Sequence, residues 1–546
     1  MIKPETTLRR WAAAESNKGG FTGHWDDLAR VQLPRRAGFV TETAVGDQRT
    51  ENIYDGTPMQ AARGLANAVA SFQWPEGEQS FHIHAEDDAI DNEEEAQAWM
   101  AKAEEIHSGI IDNPKARFRQ ARGEKDLDLV VFGTAFMFIG ESQNLDNLLF
   151  QSIHLKDGAV LWGDEGDPQG MFRKRRFTVR QAAQRFGLEA LSKETREKAG
   201  NDKGLDSTVD ILHAVLLRDE GRPDALFANE LPWADQWVEI GAKHEIKVGG
   251  FHEFPFIVPR WDTSSGEDYG RSPGMIALPD SNTLQSIGET MLVAGQRAAD
   301  PPIMAPNDSS FSHLDTFPGA LGYYDVDTAL ALRGNPFFTM ESGANMPLTR
   351  DMQLDMRDQV RWAFFKNILN LPIEGPQMTA TEIIQRKEEF IREIGPVFGR
   401  LESDDKGPTV ERSFMIALRA GAFPPIPQIL SGKGVRFEYE SPVKKIRGQI
   451  QAAAARLWAQ EQMALSHVDP AAMDLVNIEA LGRFTHSASG LPLEIISSPE
   501  EVQAKGEARA AQQQAAQEAA QLEQAAVIAD TAAGAADKAG LTGGDA

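Results

Sequence analysis

The stretch EGPQMTATEIIQRKEEFIREIGPVFGRL, residues 374–401, sets a loop holding Gly375 and Pro376 against a strongly punctuated helix start. Thr379 followed three residues later by Glu382 is a capping box, and Met378 and Ile383 stand at the spacing of a hydrophobic staple. These features predict where the helix begins. Its apolar stripe is Ile383, Phe390, Ile391 and Ile394, and Pro396 inside the continuing pattern predicts a kink. Arg386 and Lys387, two turns in, read first as solvated side chains or as ion-pair partners of Glu382, Glu389 or Glu393.

Working outward, the spacing predicts a long helix over 348–369, with Met352, Met356, Val360, Ala363 and Phe364 on one stripe and charges of both signs opposite. Residues 303–346 are rich in Gly, Pro, Asp and Phe and read as a loop-and-strand insertion. Before it, a helix over 280–298 carries Leu284, Ile287, Met291 and Leu292, with Gly288 and Gly295 on nearly the same face, where small residues admit a neighbouring helix. Pro301 and Pro302 end it.

The first half interleaves helices and strands. Two helical pieces over 5–33 are expected to be broken by NKGGFTG, and Thr57 with Pro58 opens another helix. SFHIHAEDD reads as a strand entering an acidic turn, followed by a polar helix over 92–110. DLVVFGTAFMFIGE has the content of a buried strand or hairpin, with Gly133 as its bulge or turn. A hairpin through MFRKRRF leads to Thr178 as the N-cap of a helix that Gly187 ends, and further strands are expected at DILHAVLLRD, QWVEIGAKHEIKVG and FPFIVPRW. After residue 401 come a helix in GPTVERSFMIALRAGAF, a strand in VRFEYESP, and an Ala- and Gln-rich helical region. The Gly and Ala tail beyond Thr531 has nothing to bury and is expected to be disordered. The fold class is thus α+β, predominantly helical.

The chain has 546 residues, enough for several domain-sized units, and its 41% hydrophobic and 25% charged content is that of a globular protein. It holds no apolar run of membrane-spanning length, and MIKPETTLRRWAAAE lacks a signal-peptide core, so a chain that stays in the cytoplasm where it is made, with no membrane partner, is expected. Cysteine is absent, which removes disulfides, thiolate metal sites and a thiol nucleophile. The net charge of −26 disfavours tight sequence-specific DNA binding, which needs a basic stripe. It is compatible with DNA passing a wall that repels its phosphates.

Three groups carry possible chemistry. His82 and His84 share one face of a strand, and Glu86, Asp87 and Asp88 could complete a metal site; the plainer reading is a solvated strand ending in an acidic turn. FRKRRF at 172–177 gathers Arg173, Lys174, Arg175 and Arg176, either as a nucleic-acid patch or as a solvated or subunit-facing surface. KHEIK and FHEF lack the second histidine of a zinc peptidase, and no Walker A loop, dinucleotide glycine pattern or hydrolase elbow occurs. The chain is therefore expected not to be an enzyme, and no catalytic residue, metal or cofactor is assigned.

In order along about 400 residues, the stretches WDDLARVQLP, NIYDGTPMQAARGLANAVASF, VVFGTAFMFIGE, RRFTVRQAAQRFG, FPFIVPRWDTSSGEDYGRSPGMIALPD, AADPPIMAP, MTATEIIQRKEEFIREIGPVFGRLE and ERSFMIALRAGAFPPIP resemble the portal, or head-to-tail connector, proteins of short-tailed bacteriophages. The resemblance implies a ring subunit, one of twelve, around a channel for double-stranded DNA. It implies a wing at 1–279, stem helices at 280–299 and 348–370 and a clip at 300–347. A tunnel loop at 371–379 follows, then a kinked helix and wing return at 380–442, a helical crown at 443–530 and a tail at 531–546. In that arrangement Glu374, Gly375, Pro376, Gln377, Met378 and Thr379 face the DNA, and Arg386 and Lys387 are basic residues of the channel. The implied partners are a terminase that supplies ATP hydrolysis, capsid and scaffolding proteins, and tail adaptors. The implied place is the portal vertex of the virion, after assembly in the host cytoplasm. The alternatives are another virion ring or tail-adaptor protein, or a metal-dependent hydrolase built on His82 and His84.

Overall fold

Helix α1 (Pro4–Gln32) runs unbroken through NKGGFTG, where the sequence predicts an interruption. It is held from outside. Trp25, Leu28 and Ala29 are fully buried, and the Trp25 indole N–H donates to the carbonyl of Phe132 at 3.1 Å. From within the glycine stretch, Lys18 Nζ donates to the carbonyls of Lys156 and Gly158 at 3.0 Å each. Tertiary contacts of this kind override the poor helix propensity of glycine. The computed structural model describes residues 2–517 apart from 42–43, 45, 76–78, 92, 143–145, 224, 308–316, 318–319, 326–337, 340–345, 367–391, 393–394, 441, 466–474, 489–496, 498–500 and 503.

Residues 1–442 form one compact unit and 443–546 a second. In the first, α2 (Thr57–Gln73), α3 (Glu94–Asp112) and α4 (Phe118–Phe132) precede a run of antiparallel strands. The run 128–132, expected as strand, is the end of α4, and only β2 (Phe136–Glu141) is extended. A β-branched run buried on all sides carries no period that separates helix from strand. Gly133 makes the change of direction. Its φ of 81° is left-handed, and a Cβ there would lie 2.3 Å from the carbonyl oxygen of Gly270.

β2 sits between β3 (Leu148–Ile153) and the short β9 (Phe256–Ile257). A five-stranded antiparallel meander runs β4 (Gly158–Trp162), β5 (Pro168–Thr178), β6 (Thr208–Leu217), β7 (Trp233–Glu239) and β8 (His244–Phe251). Thr178 and Gln181 form a capping box that starts α5 (Val179–Phe186), and Gly187 is its C-cap, as the sequence predicts. β1 (Phe81–Ala85) pairs antiparallel with β13 (Val435–Tyr439), closing a loop of over three hundred residues in sequence. The main core lies between that pair, α3, β2 and α8 (Gly407–Arg419), with Phe81, Trp99, Phe118, Met137, Phe150 and Phe414 at its centre. A second cluster seats α1 on the meander through Ala14, Phe172, Leu212 and Leu216.

Two long helices follow, α6 (Pro273–Ala299) and α7 (Met346–Ala363), with β10 (Ile303–Asn307), β11 (Leu321–Asp325) and β12 (Phe338–Thr339) between them as one three-stranded sheet. In the second unit, α9 (Pro442–Leu465) and α10 (Ile478–Ala488) are the main helices. Among the described residues no helix is long and apolar enough to cross a membrane.

Candidate functional site: the paired long helices and their anchors

Helix α6 begins seven residues before the sequence-predicted start. Ser272 caps it: its Oγ accepts from the N–H of Met275 at 3.0 Å and donates to the carbonyl of Val131 at 2.7 Å. Pro273 occupies the first position, where its missing N–H costs nothing. Pro279 lies inside the helix, and the side chain of Thr283 donates to its carbonyl at 3.0 Å. The base is built into the body. Gly274 is pressed against Gln32 and Val131, and Ala277, Ser281 and Leu284 are buried.

Beyond Leu284 the helix opens to solvent. Leu292 and Val293 are exposed, and on α7 so are Leu348, Met352 and Leu354, whereas Val360 and Phe364 at the other end are fully buried. The stripe expected on α7 is thus core at one end only. Among the described residues Gly288 receives no helix: a Cβ there would meet the Cβ of Tyr54 at 2.9 Å, and a Cβ on Gly295 would meet nothing within 4 Å.

Asp55 ties the pair to α2. Its carboxylate accepts from the N–H of Thr57 at 2.8 Å, from Arg357 Nε at 2.8 Å and from Gln353 Nε2 at 3.3 Å. Gln285 of α6 donates to the Asp55 carbonyl at 2.7 Å, and its own oxygen accepts from the N–H groups of Tyr54 and Asp55 at 2.8 and 2.9 Å. Burial by itself would raise the Asp55 carboxyl, but the Thr57 hydroxyl and N–H, and then Arg357, outweigh it and hold the pKa below the ordinary range. Thr57, which the sequence marks as the N-cap, is instead the first helical residue: Gly56 holds the N-cap position and the Asp55 carboxylate accepts from the Thr57 N–H. Asp55, Gln285 and Arg357 were not singled out from the sequence, where YDGTP was the available signal.

A second anchor joins α4 to the chain that follows residues 367–391. Residues Glu402–Lys406 form a π-helical turn, whose extra residue turns Asp405 inward to Lys125 Nζ. Lys125 also lies 3.2 Å from Asp126, and Arg122 stands 3.9 Å from the same carboxylate. Lys125, Asp126 and Asp405 are almost wholly buried. Burial opposes the Lys125 charge, but Asp126 and Asp405 prevail and raise its pKa; burial also lifts the Asp126 carboxyl.

The histidine pair is not gathered into a metal site. His82 Nδ1 faces Glu104 at 3.3 Å and His84 Nδ1 faces Asp91 at 3.0 Å. The same carboxylates accept from the N–H groups of Ile83 at 2.6 Å and Ala85 at 2.8 Å, so they close the free edge of β1. Among the described residues no group of three or more His, Asp or Glu could hold a metal ion. In β5, Lys174 and Arg176 share Asp210, at 3.0 and 3.1 Å, while Arg173 and Arg175 lie along a cleft. Glu374, Gly375, Pro376, Gln377, Met378, Thr379, Arg386 and Lys387 fall outside the described residues, as do the capping box and the whole of the stripe that follows it.

The helix pair thus has a buried base and an exposed apolar flank. The sequence profile of the bacteriophage head to tail connecting protein family matches residues 5–496, and the chain belongs to that family. It is 26% identical over 533 residues to a probable portal protein of Bordetella phage BPP-1, covering 96% of this chain and 94% of that one. It is likewise 26% identical over 529 residues to the portal protein of Salmonella phage epsilon15, covering 94% and 92%. A chain from the solved neck of a native GTA particle, computed with C12 symmetry, aligns over 80% of this chain and 90% of its own at 11% identity, with a TM-score of 0.37.

Proposed function

We propose that the chain is one subunit of a closed portal ring, a dodecamer at one vertex of the capsid, whose axial channel conducts double-stranded DNA during packaging and ejection. The observation that carries this reading is the apolar flank of α6 and α7, exposed in a single chain and tied to the body at its base. In a head-to-tail ring, each such flank is covered by the next copy.

In this reading residues 280–299 and 348–370 are the stem, and 300–347 form the clip that meets a terminase during packaging and tail adaptors afterwards. Residues 1–279 and 380–442 make the wing beside capsid and scaffolding proteins, and 443–530 make the crown. Residues 371–379 line the narrowest part of the channel, where Glu374 and Gln377 face the passing duplex, with Arg386 and Lys387 nearby. A wall of mostly negative sign lets the phosphate backbone slide without adhering. ATP hydrolysis belongs to the terminase. The ring is assembled in the host cytoplasm and ends in the virion.

Negative-stain imaging of the purified protein tests this. Closed rings with an axial hole and twelvefold averages are expected, and a strictly monomeric protein at micromolar concentration would overturn it.

A further inference from the structure

The basic run in β5 lies at an uncovered edge. β4 pairs with β5 only as far as Arg173, whereas β6 follows it to Thr178, so residues 174–178 have no strand on one side. A cleft of about 660 Å³ wraps that edge, reaching Trp11 of α1 and Ser152 of β3.

The polar groups of this cleft are unequally satisfied. Arg36 is paired with Asp128 at 3.1 Å and Glu124 at 3.2 Å, and Lys174 and Arg176 share Asp210. Arg173 donates only to the neutral Gln151 side chain at 3.1 Å, and Arg175 lies over the Phe177 ring, 4.6 Å from its centroid. Neither has a carboxylate within ion-pair distance among the described residues. Burial, and then the like charge of Arg175, brings Arg173 down to about 9; burial, and then Arg185, brings Arg175 down to about 10. Both remain cations at neutral pH. In the same cleft the Ser152 hydroxyl and the Trp11 indole N–H are buried without a hydrogen-bond partner. Two cations outside ion-pair distance of a described carboxylate and two neutral donors without an acceptor thus line one cleft, a lining suited to anionic acceptors.

The shape selects a carboxylate over a duplex. A concave site of this size admits side-chain tips, not the convex flank of DNA. Guanidinium groups meet carboxylates in matched planar pairs. The chain itself carries the complementary feature. Residues 86–95, EDDAIDNEEE, hold seven carboxylates in ten positions. Asp91 is taken by β1 and Asp88 by Arg436, but Glu93, Glu94 and Glu95 stand exposed at the start of α3. A heterologous ring contact needs two different patches on every copy, each fitting the other.

Resting on the ring reading above, we propose that the β5 cleft receives the acidic start of α3 from the neighbouring copy, with Glu93–Glu95 carboxylates meeting Arg173 and Arg175. Charge reversal tests it. The variants R173E/R175E and E93K/E94K/E95K, each folded by circular dichroism, are expected to need at least tenfold more protein for half-assembly. An equimolar mixture should restore rings, because each altered cleft then faces an altered acidic segment. As a second measurement that keeps the fold intact, the cysteine-free chain carrying R175C/E94C should give a ladder of cross-linked oligomers with a short bismaleimide. Each single-cysteine variant should stop at dimer or below.

Rings that form without a ladder, or a mixture that fails to restore them, overturn the inference and leave the ring reading standing. Normal assembly of R173E/R175E with loss of DNA retention overturns it in favour of a phosphate site. Failure of the unmodified chain to form rings overturns the ring reading and this contact with it.

Discussion

Lys125 stands between two buried aspartates, and its value to the fold lies in what its removal would leave behind. Lys125→Met strands Asp126 and Asp405 in the interior, so a loss of about 3–5 kcal/mol is expected in urea unfolding. Combining it with Asp405→Asn should recover a substantial part, because fewer charges are then left unpaired. His107 tests burial in a different way. Burial pushes its pKa down to about 3, and its Nε2 meets the Ser413 hydroxyl at 2.8 Å. The native state thus binds fewer protons than the unfolded chain between pH 3 and 6.5. Its contribution is complete above pH 6.5 and is lost as pH falls, by about 2 kcal/mol at pH 5. His154, lowered to about 4 by burial and then by Arg36, acts in the same direction. His107→Gln should flatten the stability profile between pH 5 and 7 by about one proton, read from urea midpoints at each pH. An unchanged slope would show that His107 does not titrate on unfolding.

Among the elements, the node at Asp55 decides how α6 and α7 leave the body. Asp55→Asn keeps an acceptor for the Thr57 N–H but loses the charge that holds Arg357, at an expected cost of about 1.5–3 kcal/mol. Because the native Asp55 pKa is lowered, that contribution is present above about pH 4 and fades below it, so wild type and variant should converge in acid. Hydrogen exchange should quicken along Met346–Ala363 and leave the meander unaffected; equal protection of α7 in both proteins would remove the node from this role. Elements with strong local punctuation were legible in the sequence. The Thr178 box and Gly187 bound α5 where expected. The run at 128–132 was not legible, because packing on all sides erases the period that would have marked it as helix. α1 survives its glycines only through the partners of Lys18 and Trp25.

For the molecule as a whole, the exposed flank is the feature with the largest consequence. Leu292→Gln with Met352→Gln removes apolar surface that the single chain leaves open, at 53% and 51% exposure. Such surface substitutions should change the stability of the chain by less than about 0.5 kcal/mol. Assembly should shift strongly toward monomer in sedimentation velocity. Rings of undiminished stability would place the subunit contact elsewhere on the surface. The family assignment spans residues 5–496, and the curated relatives match nearly end to end, so this architecture is shared in sequence far beyond any one motif.

Composition and local pattern alone determined the acidic, cysteine-free character, the strand and helix order around Thr178, and the long helices on either side of the insertion. Those properties live in consecutive residues. The pairing of β1 with β13, the reach of Asp405 to Lys125 across 280 positions, the Asp55 node and the unpaired arginines of β5 were decided only by tertiary structure. Each joins groups far apart in the chain, and no spacing rule records which distant partner satisfies a buried charge. The FRKRRF run was visible from the start, but the side chains that found counter-ions and those that did not were separated only by folding.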